Sequence, residues 1–422
     1  MLGFVQNFFG SSSSPIGIDF GTDSLRMAQV EPVNGEYHLA AAATLDVPTH
    51  VRNDPAARVG FFAQGVRDLF SQAKFRGRRA MLSLPASFMH IQHVRLPRMD
   101  EDATKKALPW ELRGKLPIDP SQALLRHIVA GEVFQDQDPK QEVIVMAARR
   151  DLVDQLLAAA AKAKLDIAGM NTEPKAIIDC FSHVYRRKLD VESTTCYLDM
   201  GCNASRAIIA RGQQIYFARV IPIGGEHFSR AVANNLKIPL EDAKVLRAKL
   251  AAETTADMPG PEREPAAPSA VETEEEPQIG QGLAILGAAL AAAKKEEKAS
   301  TAIVPAAPAP LDQRQLVDLA CREPIGKLVE ELTFCRRYYE SAFPSKPVER
   351  VIFLGGEARH KSICQNIARE LGIAAIIGDP LARTPRDDDG GPESGINRRL
   401  PQPVWAVAIG LSMGPLQVEV KK

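Results

Sequence analysis

Cysteine is sparse and poorly spaced for chemistry. Cys180, Cys196, Cys202, Cys321, Cys335 and Cys364 include no Cys-x-x-Cys pair and no neighbouring histidine at zinc-ligand spacing. A zinc module and a disulfide-built scaffold are both excluded as the organising principle, and reduced core thiols in a cytosolic protein are expected. Net charge is lacking too: Lys plus Arg and Asp plus Glu each number 52. Bulk electrostatics therefore point to neither nucleic acid nor an anionic membrane surface. The first ten residues hold no Lys or Arg and are broken by Gln6-Asn7 before four serines. A secretory leader is therefore not expected, and residues 1–14 read as a short tether. No apolar run reaches the roughly 20 residues of a bilayer-spanning helix. The longest, 283–293, is mostly alanine.

Against these absences stand two short stretches. In Ile16-Gly17-Ile18-Asp19-Phe20-Gly21-Thr22 an apolar, β-prone run ends at Asp19, Gly21 permits a tight turn, and Thr22 presents a hydroxyl beside exposed amides. This is how a strand-turn-strand hairpin cradles phosphate. The pattern returns in Cys196-Tyr197-Leu198-Asp199-Met200-Gly201, followed by a second strand at 205–210. Two such hairpins predict two related lobes facing one nucleotide.

Periodicity places the remaining elements. A strand at 37–44 precedes a helix at 56–74, whose Phe61, Phe62, Val66, Leu69 and Phe70 make one buried stripe. A buried strand follows at 80–84. Residues 88–150 read as an inserted α/β unit with strands at 89–96, 123–133 and 142–147 and an acid-started helix at 100–113. A helix at 151–164, a strand at 166–171 and a helix opened by Glu173-Pro174 complete the first lobe, 15–87 plus 151–190. The second lobe, 191–250 plus 312–422, repeats the order with strands at 194–199, 205–210 and 214–221, then helices from Gly224-Gly225-Glu226 and over 240–250. A long helix at 312–341, a strand at 350–354 ending in Gly355-Gly356, a helix to 371, a strand at 374–377, a mobile loop at 383–402 and an apolar helix at 403–413 close it. Residues 251–311 carry 17 alanines, 8 prolines and no aromatic, too little large apolar surface to order themselves, so a disordered insert is expected, with a nascent helix over 282–298.

In order along the chain, Gly17-Ile18-Asp19-Phe20-Gly21-Thr22, Glu173-Pro174, Leu198-Asp199-Met200-Gly201, Leu354-Gly355-Gly356-Glu357-Ala358 and Ala408-Ile409-Gly410-Leu411 resemble the five-motif signature of the actin-like ATPases. Leu84-Pro85, Arg95-Leu96-Pro97-Arg98-Met99, Trp110-Glu111, Leu116-Pro117-Ile118-Asp119 and Arg219-Val220-Ile221-Pro222-Ile223-Gly224-Gly225 narrow the resemblance to the PilM family, whose proteins assemble type IV pili. The resemblance implies an actin-like α/β fold of two related lobes, with the insert replacing the usual second small subdomain. It implies ATP held by Asp19, Gly21, Thr22, Asp199, Gly201, Gly224, Gly225, Glu226, Lys244, Arg247, Gly355, Gly356 and Glu357. Asp19 and Asp199 would hold Mg²⁺ through its waters, and Gly201, Gly224 and Gly355 would let backbone amides approach phosphate and sugar. Glu173 stands where chaperone-like members place the carboxylate that orients the attacking water, so the resemblance implies hydrolysis with Glu173 as its catalytic residue, and a structural role implies that turnover is slow or absent.

For function, the resemblance implies a cytoplasmic scaffold of pilus assembly, associated with the inner membrane by docking the cytosolic N-terminal peptide of a PilN-type membrane protein. Its groove is expected between the first lobe and the insert, near 96–116, with Trp110 and Leu116 as anchors; self-association is compatible with the same reading. The chain departs from the family in two places: Gly410-Leu411-Ser412-Met413-Gly414 lacks the basic residue that often closes the final motif, and the acid expected at the ribose or adenine is a lysine. Where relatives carry Ala-Glu-x-x-Lys the chain has Ala243-Lys244-Val245-Leu246-Arg247. Two other readings are an FtsA-like filament-forming division protein, which would need a C-terminal amphipathic helix longer than 416–422, and a small-molecule kinase of the same fold, which would need a general base on the substrate hydroxyl.

Overall fold

The alternation of buried strand and amphipathic helix read from the sequence resolves, in the computed structural model, into two five-stranded sheets and a three-stranded insert. The structure describes residues 13–52, 54–84, 88–135, 138–256, 311–385 and 394–414. The tether up to residue 12, the insert over 257–310 with its expected helix at 282–298, the centre of the 383–402 loop and the stretch from 415 lie outside the described residues.

The first half runs β1 (Ile16–Phe20), β2 (Ser24–Val33), β3 (Glu36–Asp46), α1 (Pro55–Gln72) and β4 (Arg79–Ser83). The insert follows with β5 (Met89–Pro97), α2 (Glu101–Glu111), β6 (Ala123–Gln135) and β7 (Asp138–Arg149). Then come α3 (Arg150–Lys162), β8 (Asp166–Asn171), α4 (Glu173–Val184) and the short α5 (Lys188–Glu192). The second half runs β9 (Thr194–Met200), β10 (Ser205–Arg211), β11 (Gln214–Ile221), α6 (Gly225–Leu236), α7 (Leu240–Ala256), α8 (Gln313–Ala342), β12 (Arg350–Leu354), α9 (Lys361–Leu371), β13 (Ala374–Ile377) and α10 (Ala406–Met413). Helix α7 continues six residues beyond the break expected at Leu250.

Sheet order is β3-β2-β1-β4-β8 in one half and β11-β10-β9-β12-β13 in the other. Each begins with an antiparallel hairpin and continues through parallel partners. The two halves therefore repeat one plan, and the turn of each opening hairpin lies at the carboxyl end of its first strand, where open α/β sheets bind ligands. Helix α1 starts cleanly because Asp54 accepts from the amides of Ala56 and Ala57 and Pro55 occupies the first turn. Its Phe62, Val66 and Leu69 pack with Leu156 and Ala160 of α3 against Ile16, Ile18 and Phe20.

Helix α10 was expected in the second lobe, at the end of 312–422, yet it packs on β1, β2 and α4. Glycine makes this possible: a Cβ on Gly17 would lie 1.9 Å from the Ala408 carbonyl oxygen, and one on Gly410 would lie 1.9 Å from that of Ala176. The Ser412 hydroxyl completes the seam, donating to Pro15 O at 2.7 Å and accepting from Val30 N at 3.0 Å. The last helix thus returns to the first half through backbone contacts that any side chain would block.

In the insert, β5, β7 and β6 form an antiparallel sheet, and α2 covers one face with Leu108 and Leu112 on Val94, Leu96, Val143 and Val145. The sheet also meets the second half. Buried Glu142 of β7 accepts from the Tyr338 hydroxyl of α8 at 2.6 Å, from Arg95 Nε at 3.0 Å and lies 2.9 Å from His93 Nδ1. The other nitrogen of His93 is 3.0 Å from Ala218 O of β11. Gln214 donates to Val129 O at 2.9 Å.

Candidate functional site

Between the two halves lies a cleft of about 560 Å³ lined by both hairpin turns, 21–23 and 201–204. That volume falls in the range of small-ligand sites. Of the residues expected to meet nucleotide, all but Gly224 line it, and so does Glu173. Trp110 and Leu116 are elsewhere, on the insert: Trp110 is 67% exposed with the Arg113 guanidinium 3.9 Å above its ring, and Leu116 packs at the edge of the α2 cluster.

Three carboxylates form the floor. Asp19, Asp199 and Glu173 are 6%, 5% and 2% exposed. The first two end their hairpin strands, and Glu173 opens α4 behind the Thr172 N-cap. Buried carboxylates need a cation, and here it comes from β10. Register sets Arg206 opposite Asp199, its Nε 2.9 Å from Asp199 Oδ2 and 3.2 Å from Glu173 Oε2. In the first hairpin Arg26 stands opposite Asp19, 3.9 Å from Oδ2, and the Ser83 hydroxyl donates to Oδ1 at 3.4 Å. Burial raises the Asp19 carboxyl to about 6 against the opposing pull of Arg26 and Arg206. Burial would weaken the Arg206 cation, but Asp199 and Glu173 outweigh it and hold its pKa above the ordinary arginine value.

Arg206 was not among the residues picked from the sequence. Its signal was nonetheless present: Asp-x-Gly-x-x-x-x-Arg occurs at 19–26 and again at 199–206, each arginine seven residues after its aspartate. Arg58 was missed as well. It is 1% exposed on α1, donates to Gly21 O at 2.9 Å and Thr22 O at 3.1 Å, and lies 4.7 Å from the Phe20 ring centre, so it fixes the first turn from behind.

The glycines do something other than expected. The amides of Gly225 and Glu226, at the start of α6, donate to Gly201 O at 2.9 Å and Cys202 O at 2.8 Å, and so bond the helix to the hairpin turn. Gly224 permits that closeness, since a Cβ there would sit 2.5 Å from Gly201 O. Gly355 has φ +80° and presses on Asp199, whose Oδ1 would be 2.4 Å from a Cβ. Gly224, Gly225 and Gly355 serve contact between walls of the cleft, whereas a Cβ on Gly356 would meet nothing within 4 Å.

On the opposite wall Arg247 is buried, donating to Gly225 O at 3.0 Å and Ser229 Oγ at 2.8 Å and pairing with Glu357. Glu357 in turn packs against Gly225 and lies 3.8 Å from His360 Nε2. Burial pushes His360 down to about 4. Lys244 donates to Glu241 at 2.8 Å, and Glu226 pairs with Arg230 of its own helix.

Mg²⁺ demands free oxygen donors and room for its waters. Asp199 and Glu173 are both ion-paired to Arg206, and Asp19 faces Arg26, so the oxygens that the waters of the ion would need already face guanidinium groups. As folded, the donor set does not fit the ion. Among the described residues no helix is long and apolar enough to cross a membrane.

Comparison with known proteins places this architecture. The model of the type IV pilus assembly protein PilM family matches residues 17–258, and that of the cell division protein FtsA matches residues 196–410. No curated protein matches the chain in sequence. Among solved structures, the chain is similar to one described as the PilM-PilN type IV pilus biogenesis complex, at 18% identity and TM-score 0.66, over 95% of this chain and 98% of the other. It is also similar, at 11% identity and TM-score 0.49 over 98% and 93%, to the ethanolamine utilization protein EutJ from Carboxydothermus hydrogenoformans. The twin sheets with paired hairpins are an actin-like fold. With the family model spanning more than half of its residues, this chain belongs to the type IV pilus assembly protein PilM family.

Proposed function

We propose that the chain is a cytoplasmic, ATP-binding scaffold of type IV pilus assembly that reaches the inner membrane by docking the cytosolic N-terminal peptide of a PilN-type protein. The observation that carries this is the cleft between paired hairpins in a member of this family. Thr22, Arg26 and Lys244 line it and offer a hydroxyl and two cations to phosphate. Arg247 and Glu357, locked to each other and to α6, shape the opposite wall. Glu173 lines the cleft as an ion-pair partner of Arg206, and we take the chain to hold ATP with slow turnover or none.

The docking site is Trp110 with Leu116. An exposed indole on a short helix is the kind of anchor that dominates small peptide interfaces, and the likeness in fold to a PilM-PilN complex supports the choice of partner. The test is a titration of the purified chain with the synthetic cytosolic peptide of the PilN-type protein from the same cell, followed by melting curves with and without ATP. Saturable peptide binding together with an ATP-dependent rise in melting temperature is expected. Failure to capture the peptide removes the docking half of the proposal, and an unchanged melt removes the nucleotide half.

A further inference from the structure

The floor of the cleft holds more negative side chains than a nucleotide site can leave uncompensated, and the fold supplies its own counter-charge. We infer that Arg206 takes the place of a divalent cation, so that the cleft binds a nucleoside triphosphate without a metal ion. This deepens the nucleotide reading and rests on it.

Three observations carry the inference. The first is position: Arg206 Nε lies 2.9 Å from Asp199 and 3.2 Å from Glu173, so one guanidinium bridges the two carboxylates. A hydrated Mg²⁺ would need the same oxygens through its waters. The second is confinement. Asp199 is 5% exposed and close enough to Gly355 that a Cβ there would sit 2.4 Å from its Oδ1, and the Arg206 side chain is only 12% exposed. The third is repetition. The first hairpin sets Arg26 against Asp19 at the equivalent register, so each carboxylate expected to hold the ion faces an arginine from its own hairpin.

An arginine carries one fixed positive charge and a planar fork of donors, and it does not exchange with solvent as an ion does. Its charge is present whatever the metal concentration, and the phosphates then meet other cations lining the cleft, Arg52 and Lys244 among them. Such a site responds to nucleotide and ignores magnesium. With Glu173 tied to the same guanidinium, nucleotide acts as a structural ligand.

The experiment measures binding of a fluorescent ATP analogue to the full chain, wild type and Arg206→Met, in excess EDTA and in excess MgCl₂, with Mn²⁺ titrated into the nucleotide-free proteins by EPR. For wild type, equal affinity within about twofold in EDTA and MgCl₂ is expected, with no Mn²⁺ bound. Arg206→Met should lose affinity in EDTA, recover it by about tenfold or more with Mg²⁺, and bind Mn²⁺ on its own. Loss of wild-type binding in EDTA, or Mn²⁺ binding by the nucleotide-free wild type, overturns the inference. If no nucleotide binds under either condition the nucleotide reading fails, while the Mn²⁺ titration still decides whether Arg206 fills a cation site. Should Arg206→Met not fold, the wild-type comparison decides, with Arg206→Lys expected to stay metal-independent.

Discussion

Trp110→Ala separates docking from folding because the structure fixes what each should lose. Trp110 is 67% exposed, and its one aromatic contact is the Arg113 guanidinium at 3.9 Å. An exposed cation–π pair contributes about 0.5–1 kcal/mol, so the variant should unfold in urea within about 1 kcal/mol of wild type. If Trp110 anchors the partner peptide, truncation should weaken capture by about 2 kcal/mol or more, roughly 30-fold in Kd. The assay is fluorescence anisotropy of a labelled PilN-type peptide beside urea denaturation of the same samples. The two tryptophans allow an internal check: Trp405 is 2% exposed, so acrylamide should quench Trp110 selectively, and peptide should protect it. A well-folded Trp110→Ala that binds peptide within about threefold of wild type refutes the anchor and moves the groove away from α2. A loss of several kcal/mol in stability would instead contradict the exposure of this side chain.

Gly410→Ala should destabilise the chain by about 2 kcal/mol or more, because the new methyl would meet the Ala176 carbonyl; a thermal melt within a degree of wild type would contradict the seam between α10 and α4. His360 has its pKa lowered to about 4 by burial, so its neutral form favours the fold. Stability from this group is full above about pH 6.5 and is lost as pH falls toward 4, by about 3 kcal/mol in total, and urea titrations of His360→Gln should show that acid-side loss reduced. Tyr338→Phe and Glu142→Gln should each loosen the insert from α8, with a coupling energy of about 0.5–3 kcal/mol in a double-mutant cycle; additive losses would show that the 2.6 Å bond between them carries no stability.

Much of this protein is legible locally. Strand alternation, the phenylalanine stripe of α1, the acid-started α2 and the two Asp-x-Gly turns depend on residues within a few positions of one another, so the element order and the paired hairpins follow from the chain itself. Even the pairing of Asp199 with Arg206 is set by hairpin register, although its meaning is invisible until Glu173 arrives from α4 to share the same guanidinium. The rest depends on distant partners. Backbone contact at Gly17 and Gly410 carries α10 back to the first half, because only a missing Cβ lets two backbones approach so closely and a sequence does not say which backbone will come. The first amides of α6 look like a phosphate cradle in isolation; the turn at 201–204 takes them once the elements pack. The insert is held to the second half by Glu142 and Tyr338, 196 residues apart. Local pattern specifies elements, but which buried charge meets which is a property of three-dimensional packing, where one carboxylate's partner is chosen by the geometry of the whole wall.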